Sequence, residues 1–220
     1  MSAPDLPAAV LWDMDGTIID TEPYWMAAET AMVERAGGTW SHEQALKLVG
    51  SDLRQTARVL RADTPVSGSA DDIVDALLTS VVARVRQDIP WRPGALELIT
   101  ECSHAGMPMA LVTMSWRPLA AVLLDALPPD TFRVVVTGDQ VSNGKPHPEP
   151  YLWAAQQLGV APRDCLAIED SPTGVASALA AGANTLAVSH MVAVDDAPQA
   201  HHASTLHGTD LAGLRWFFTN

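Results

Sequence analysis

Four short apolar runs, at 109–113, 134–137, 165–169 and 184–188, alternate with segments of helical period near 96–104, 119–127, 149–158 and 174–181. Runs of that length with helices between them form parallel strands, because a parallel connection needs a crossover and the crossover is usually a helix. Their near-continuous apolar character means both faces of the sheet are covered. This pattern predicts an α/β fold with a doubly wound parallel sheet. A further apolar run at 8–13 supplies a first strand far from the others in sequence.

The segment between that first strand and the alternating region reads differently. A helix over about 24–35 is stopped by Gly37 and Gly38, and Ser41 to Gln44 fits a capping box that opens another helix. Helical pattern continues over 53–60 and 73–85, broken at 65–69. The stretch Ile89 to Gly94 marks a boundary, with Pro93 placed to begin a helix. The expectation is a core of residues 1–19 and 91–220, with an all-helical insertion at 20–90 just after the first strand. The end of the chain, 211–218, reads as an amphipathic helix with Trp216 turned inward. His201, His202 and His207 lack metal-ligand spacing and are read as lying in a solvent-facing loop.

Charge narrows the partners. The 220 residues carry 13 basic and 26 acidic side chains, a net −13, which disfavours nucleic acid and anionic membrane. An anionic ligand must therefore be held by local positive features. Cys102 and Cys165 lack ligand spacing and read as buried free thiols. The first residues, Met1 to Asp5, show no secretory pattern. The stretch 171–194 has no Asp, Glu, Lys or Arg, but Pro172, Gly174, Gly182 and Asn184 interrupt it, so a helix and a strand explain it better than a membrane span. A cytoplasmic protein is expected.

The chemistry sits at strand ends. Asp13 and Asp15 close the first apolar run and are followed by Gly16 and Thr17. In open α/β sheets ligands bind beyond the carboxyl ends of the strands. Two carboxylates there suit a hard divalent cation, and one can act as a nucleophile; the pair alone also fits a purely metal-holding role. Thr113, Met114 and Ser115 end the next strand, where a hydroxyl and helix-start N–H groups can meet a phosphoryl oxygen or simply cap the helix. Lys145 lies in a stretch, Gly144 to Pro150, whose three prolines fix the backbone. Glu169 and Asp170 repeat the acidic strand end.

Taken in order, Asp13-Met-Asp15-Gly-Thr17, Thr113-Met-Ser115, Gly144-Lys-Pro146 and Glu169-Asp-Ser-Pro172 resemble the haloacid dehalogenase superfamily along essentially the whole chain. The helical insertion resembles that of the helical-cap subfamily. The resemblance implies a Rossmann-like core with a mobile cap, and Mg²⁺ as cofactor. It implies Asp13 as nucleophile toward phosphorus and Asp15 as general acid and then base. Asp13, the Asp15 backbone carbonyl and Asp170 would ligate the metal, with Glu169 behind them orienting a metal-bound water. Thr113 and Lys145 would hold the phosphoryl group, with Thr17 and Ser115 also on the substrate. Met114 departs from the Asn frequent in relatives, leaving its backbone N–H for phosphate.

Asp15 argues against a dehalogenase, which generally lacks the second acid, and against a receiver-like phosphate store, which gains nothing from a group that speeds hydrolysis. Members of the β-phosphoglucomutase type tend to carry histidine where this chain has Trp25. Trp25 instead resembles sugar-phosphatase members, including 2-deoxyglucose-6-phosphate phosphatases. The expectation is a Mg²⁺-dependent phosphatase of a small sugar or polyol phosphate, with a hexose-phosphate mutase as the alternative. In the insertion, Glu22 is expected to accept hydrogen bonds from sugar hydroxyls, and Arg54, after Gly50, to reach a distal anion. A monomer suffices for such a site.

Overall fold

Strand β1 (Ala9–Trp12) is buried at every residue, and its alternation explains where it lies. Val10 and Trp12 enter one apolar cluster, whereas Ala9 and Leu11 enter the other. Successive side chains of a strand point to opposite faces, so β1 is covered on both and belongs at the centre of a sheet. The computed structural model describes residues 6–194 and 197–219. The N-terminal stretch 1–5, in which a leader was sought, lies outside the described residues.

The sheet has six strands in the order β3-β2-β1-β4-β5-β6, every neighbouring pair parallel. The others are β2 (Met109–Val112), β3 (Val134–Val136), β4 (Cys165–Glu169), β5 (Asn184–Val188) and β6 (His201–Ala203). Helices α5 (Ala95–His104), α6 (Arg117–Asp125) and α9 (Leu211–Thr219) bury Leu98, Ile99, Leu119, Leu123 and Leu214 with one face. Helices α7 (Glu149–Leu158) and α8 (Pro172–Ala180) cover the other face with Tyr151, Ala154, Ala155 and Ala178. The chain runs from β1 outward through β2 and β3, then returns to the opposite side of β1 as β4. That reversal is the switch point at which such sheets bind ligands.

Between β1 and α5 stand four helices, α1 (Glu22–Arg35), α2 (His42–Leu46), α3 (Leu53–Asp63) and α4 (Ala70–Val85). Ser41 and Gln44 form the capping box expected of them, and a second one joins Ser69 to Asp72. Val33, Leu60, Leu77 and Val81 fill the space between these helices, each side chain contributing roughly 1.5–3 kcal/mol by burial. The two connections to the sheet run side by side: Asp20 N–H donates to Pro90 O and Arg92 N–H to Ile18 O, both at 2.8 Å.

Three expectations need correction. Pro93 precedes α5 rather than starting it, because Gly94 at a φ of 85° takes the capping position. His201 and His202 pair with β5 as an edge strand, where unpaired backbone groups found a partner although the side chains show no strand pattern. Trp216 is 56% exposed; Leu214 is the residue α9 buries, and Trp216 packs edge-on against His201 and Phe217 at the surface. Cys102 and Cys165 are buried free thiols, as expected. No helix among the described residues is long and apolar enough to cross a membrane.

Candidate active site

Asp13, Thr113 and Asp170 each follow directly on β1, β2 and β4, three adjacent strands, so their side chains meet at one edge. Asp13 continues the ladder by one bond, its N–H donating to Ile168 O at 3.0 Å. Lys145 enters from the loop before α7. Its Nζ donates to Asp13 Oδ1 at 2.6 Å, Glu169 Oε1 at 2.6 Å and Val112 O at 2.9 Å. An ammonium has three donors, so Lys145 is fully satisfied and fixed in place.

Burial raises the electrostatic stakes. The Asp13 carboxyl is pushed up to about 7 by burial and by Glu169, against the pull of Lys145. Burial disfavours the Lys145 ammonium, but Asp13 and Glu169 outweigh it and hold its pKa above the ordinary lysine value. Asp170 is raised well above the usual carboxylate range by burial, then by Asp13 and Glu169. Three buried carboxylates thus share one ammonium, and if all ionise the cluster is left two charges negative. Asp13 Oδ2 is buried without a hydrogen-bond partner. Ligand oxygens of Asp13, Glu169 and Asp170 lie within 4.8 Å of one another. An all-oxygen set with an orphaned carboxylate atom and a charge deficit of that size fits a hard divalent cation.

Neighbouring residues hold the acids in place. Tyr151 Oη donates to Glu169 Oε1 at 2.6 Å, so that oxygen is already engaged by two donors and Glu169 stands behind Asp13. Gly16 has a φ of 86°, and a Cβ there would lie 2.0 Å from Asp170 Oδ2; only glycine lets Asp170 approach. Thr17 is buried and donates to Asp170 Oδ1 at 3.3 Å, facing that carboxylate rather than the cavity. The Thr17 hydroxyl, expected on the substrate, is instead engaged by the Asp170 carboxylate.

Asp15 points the other way. It accepts from Thr21 Oγ1 at 2.5 Å and Trp25 Nε1 at 3.4 Å on one oxygen, and from Thr113 Oγ1 at 3.0 Å on the other. The Thr113 hydroxyl, expected on a phosphoryl oxygen, is used here by Asp15 and by the Ser115 N–H at 2.9 Å. Trp25 lies on α1, so the helical insertion touches the second acid directly. The side chain of Asp15 is outside the group of metal-competent carboxylates.

A cavity of about 50 Å³ lies over these groups, lined by Asp13, Asp15, Lys145 and Ser115 below and by α1, α3 and the Leu48–Ser51 turn above. Gly50 O accepts from Thr173 Oγ1 at 3.2 Å, and a Cβ on Gly50 would meet Ser171 and Thr173 hydroxyls at 2.8 Å. The helical insertion is therefore seated on the start of α8. Met114 lines the cavity while its Sδ accepts the Lys145 N–H.

Glu22 lines the cavity and is buried, its carboxyl pushed up to about 8 by burial and then by Asp15, Glu29, Asp13 and Asp20. Arg54 does not line the cavity: it pairs with Asp71 at 3.4 Å and stacks on Trp116, where two partners outcompete the cavity for its guanidinium. Glu29, Thr21 and Tyr151 were missed. Thr21 stands inside the Asp20–Trp25 stretch, and Tyr151 follows the rigid lysine loop; that proximity was the available signal.

The model of the haloacid dehalogenase-like hydrolases matches residues 10–188. Hexitol phosphatase A of Escherichia coli (strain K12) is 36% identical over 186 residues, covering 81% of each chain. The fructose-1-phosphate phosphatase YqaB of the same strain is 31% identical over 186 residues, 82% of this chain and 96% of that one. Among solved structures, CbbY from Rhodobacter sphaeroides in complex with xylulose-(1,5)bisphosphate superposes with a TM-score of 0.84 at 27% identity, over 95% of this chain and 99% of that one.

Proposed function

The chain belongs to the haloacid dehalogenase-like hydrolases, and from that premise we propose that it hydrolyses a small sugar or polyol phosphate through a phosphoryl intermediate on Asp13. The observation that carries this reading is Lys145, bound at once to Asp13 and Glu169 beside Asp170, at the switch point and under a closed helical cover. Residues 20–90 act as the cap, and 1–19 with 91–220 as the core.

Asp13 attacks phosphorus in line, and the bond from phosphorus to the leaving oxygen breaks. Asp15 gives its proton to that oxygen. It then takes a proton from water as the water attacks phosphorus and the bond to Asp13 breaks, so one acid serves both steps. Thr21, Trp25 and Thr113 orient Asp15 for this exchange. Lys145 neutralises charge on Asp13 and on the phosphoryl oxygens in a site from which water is largely excluded. Mg²⁺ would be held by Asp13, Asp170 and the Asp15 backbone carbonyl, and when bound it supplies neutralising charge to the phosphoryl oxygens. Ser115 and the Met114 N–H, which belong to residues lining the cavity, would meet those oxygens. On this reading the enzyme works in the cytoplasm and a monomer suffices, one chain supplying every group of the site.

The mutase alternative is weaker. It requires a place for a second phosphate, and Arg54, the expected partner, is turned to Asp71 and Trp116. Phosphate release from a panel of monoesters with Mg²⁺ tests the proposal, with Asp13→Asn alongside. Turnover that needs both Mg²⁺ and Asp13 is expected. Turnover by Asp13→Asn at the wild-type rate, or conversion of β-glucose 1-phosphate to the 6-phosphate without release, would overturn it.

A further inference from the structure

The Met114 side chain joins two loops that the chemistry above uses separately. Met114 stands just after β2, and Lys145 lies 31 positions further on, in the loop before α7. Met114 Sδ accepts the Lys145 N–H at 3.2 Å, and Lys145 is buried. Among the described residues this sulfur is the acceptor that satisfies that amide, and a buried N–H needs one. The fit around it is close. A Cβ on Gly144 would come 2.8 Å from Met114 Sδ, and one on Gly138, just after β3, 2.1 Å from Met114 O. The 138–144 segment thus lies against Met114 at both its backbone and its sulfur. Met114 also lines the cavity, so a molecule the size of water that enters the site meets it.

A thioether is oxidised by a peroxide without ionising first, whereas a thiol reacts as its thiolate. That difference singles out methionine here. Burial pushes the Cys102 and Cys165 thiols up to about 12, leaving roughly one in 10⁵ ionised at pH 7. In the methionine reaction a sulfur lone pair bonds to one oxygen of hydrogen peroxide and the O–O bond breaks. The departing hydroxide takes the proton from the oxygen now on sulfur and leaves as water. Sulfur is oxidised by two electrons and the peroxide reduced by two.

A sulfoxide cannot keep the joint. With its oxygen toward Lys145, an added atom must fit between Sδ and an amide already at 3.2 Å, and the lysine loop is pushed back. With its oxygen toward the cavity, the sulfur no longer accepts, and a buried N–H loses its partner. A negative oxygen then also faces the place of the phosphoryl group, beside Asp13 and Asp15. Lys145 Nζ holds Asp13 and Glu169 at 2.6 Å from that same loop, so its grip depends on where the loop lies.

We propose that Met114 is an oxidation site through which a peroxide switches the protein off: conversion of Sδ to the sulfoxide releases the Lys145 loop and displaces the ammonium from Asp13. The effect on turnover rests on the phosphatase reading; the joint itself does not.

The test exposes the protein to stepped doses of hydrogen peroxide and follows three quantities. These are phenyl phosphate hydrolysis with Mg²⁺, relative to each protein's own untreated rate, oxygen added at each methionine by peptide mass, and hydrogen exchange at the Lys145 amide. Met114→Leu and Met26→Leu are run beside wild type, because Met26 also lines the cavity. Full conversion of Met114 is expected to lower kcat/KM about 100-fold, the cost of a displacement of about 1 Å in a catalytic site. Exchange at Lys145 should accelerate, and methionine sulfoxide reductases for both epimers should reverse both changes. Met26→Leu should lose activity as wild type does, and Met114→Leu should keep its own rate through the same doses. Met114 sulfoxide with rate and exchange unchanged overturns the proposal, as does equal inactivation of Met114→Leu. So does a Met114 left unmodified while the half-buried Met32, Met107 and Met191 are oxidised. No hydrolysis by untreated protein sinks the phosphatase reading, while the mass and exchange measurements still decide the joint.

Discussion

Replacing Glu22 by glutamine should stabilise the protein in base and leave it nearly unchanged in acid. Glu22 is buried without a partner, and its carboxyl is pushed from an ordinary 4.5 up to about 8, by burial first and by Asp15 next. The folded chain therefore keeps a proton that the unfolded chain has already released. Because the folded state binds more protons across that window, stability falls as pH rises from about 4.5 to about 8 and is constant beyond it. Each pH unit across the window costs about 1.4 kcal/mol, so the full loss approaches 4–5 kcal/mol. Glutamine has no proton to lose and escapes it. Relative to wild type, Glu22→Gln should gain about 4 kcal/mol more at pH 9 than at pH 5, read as a Tm difference of roughly 10 °C. Thermal melts of both proteins at the two pH values, in metal-free buffer, measure this directly. A Tm difference of the same size at pH 5 and pH 9 would refute the claim that Glu22 is held uncharged by its surroundings.

Gly16→Ala places a Cβ against Asp170 on a backbone that disfavours side chains. It should raise the Mg²⁺ concentration needed for half-maximal turnover by about 10–100-fold, and an unchanged Mg²⁺ titration would dissociate Asp170 from the metal. Tyr151→Phe removes one of the two donors on Glu169 Oε1. Urea denaturation should show a loss of about 1–3 kcal/mol, whereas equal stability would mean the Glu169 oxygen is satisfied without it.

The arrangement of the sheet was legible because its strands are buried on both faces, which leaves short continuous apolar runs, and β4 and β5 match their expected limits. β6 was not, because an edge strand of three residues is held by backbone bonds to β5 and its His201-His202-Ala203 carries no apolar pattern. The clustering of the acids and Lys145 was legible because Asp13, Glu169 and Asp170 stand at the ends of apolar runs and Lys145 in a proline-fixed loop. Their supporting contacts were not. Tyr151 reaches Glu169 across 18 positions and Thr113 reaches Asp15 across 98, partnerships that only the packed sheet creates. Arg54 and Thr17 show the converse: residues of suitable type near the motifs, recruited by Asp71 and Asp170 rather than by the cavity. Glu22 was read from its type alone, and its burial came from the closure of α1 onto the site.

The most direct test of the account is the stereochemical course at phosphorus, measured with a substrate whose phosphoryl group is made chiral with oxygen isotopes. Transfer to Asp13 and then to water is two in-line displacements, each inverting, so the phosphate released should retain configuration. Net inversion would mean that water attacks the ester directly, and Asp13 would lose its place as the nucleophile.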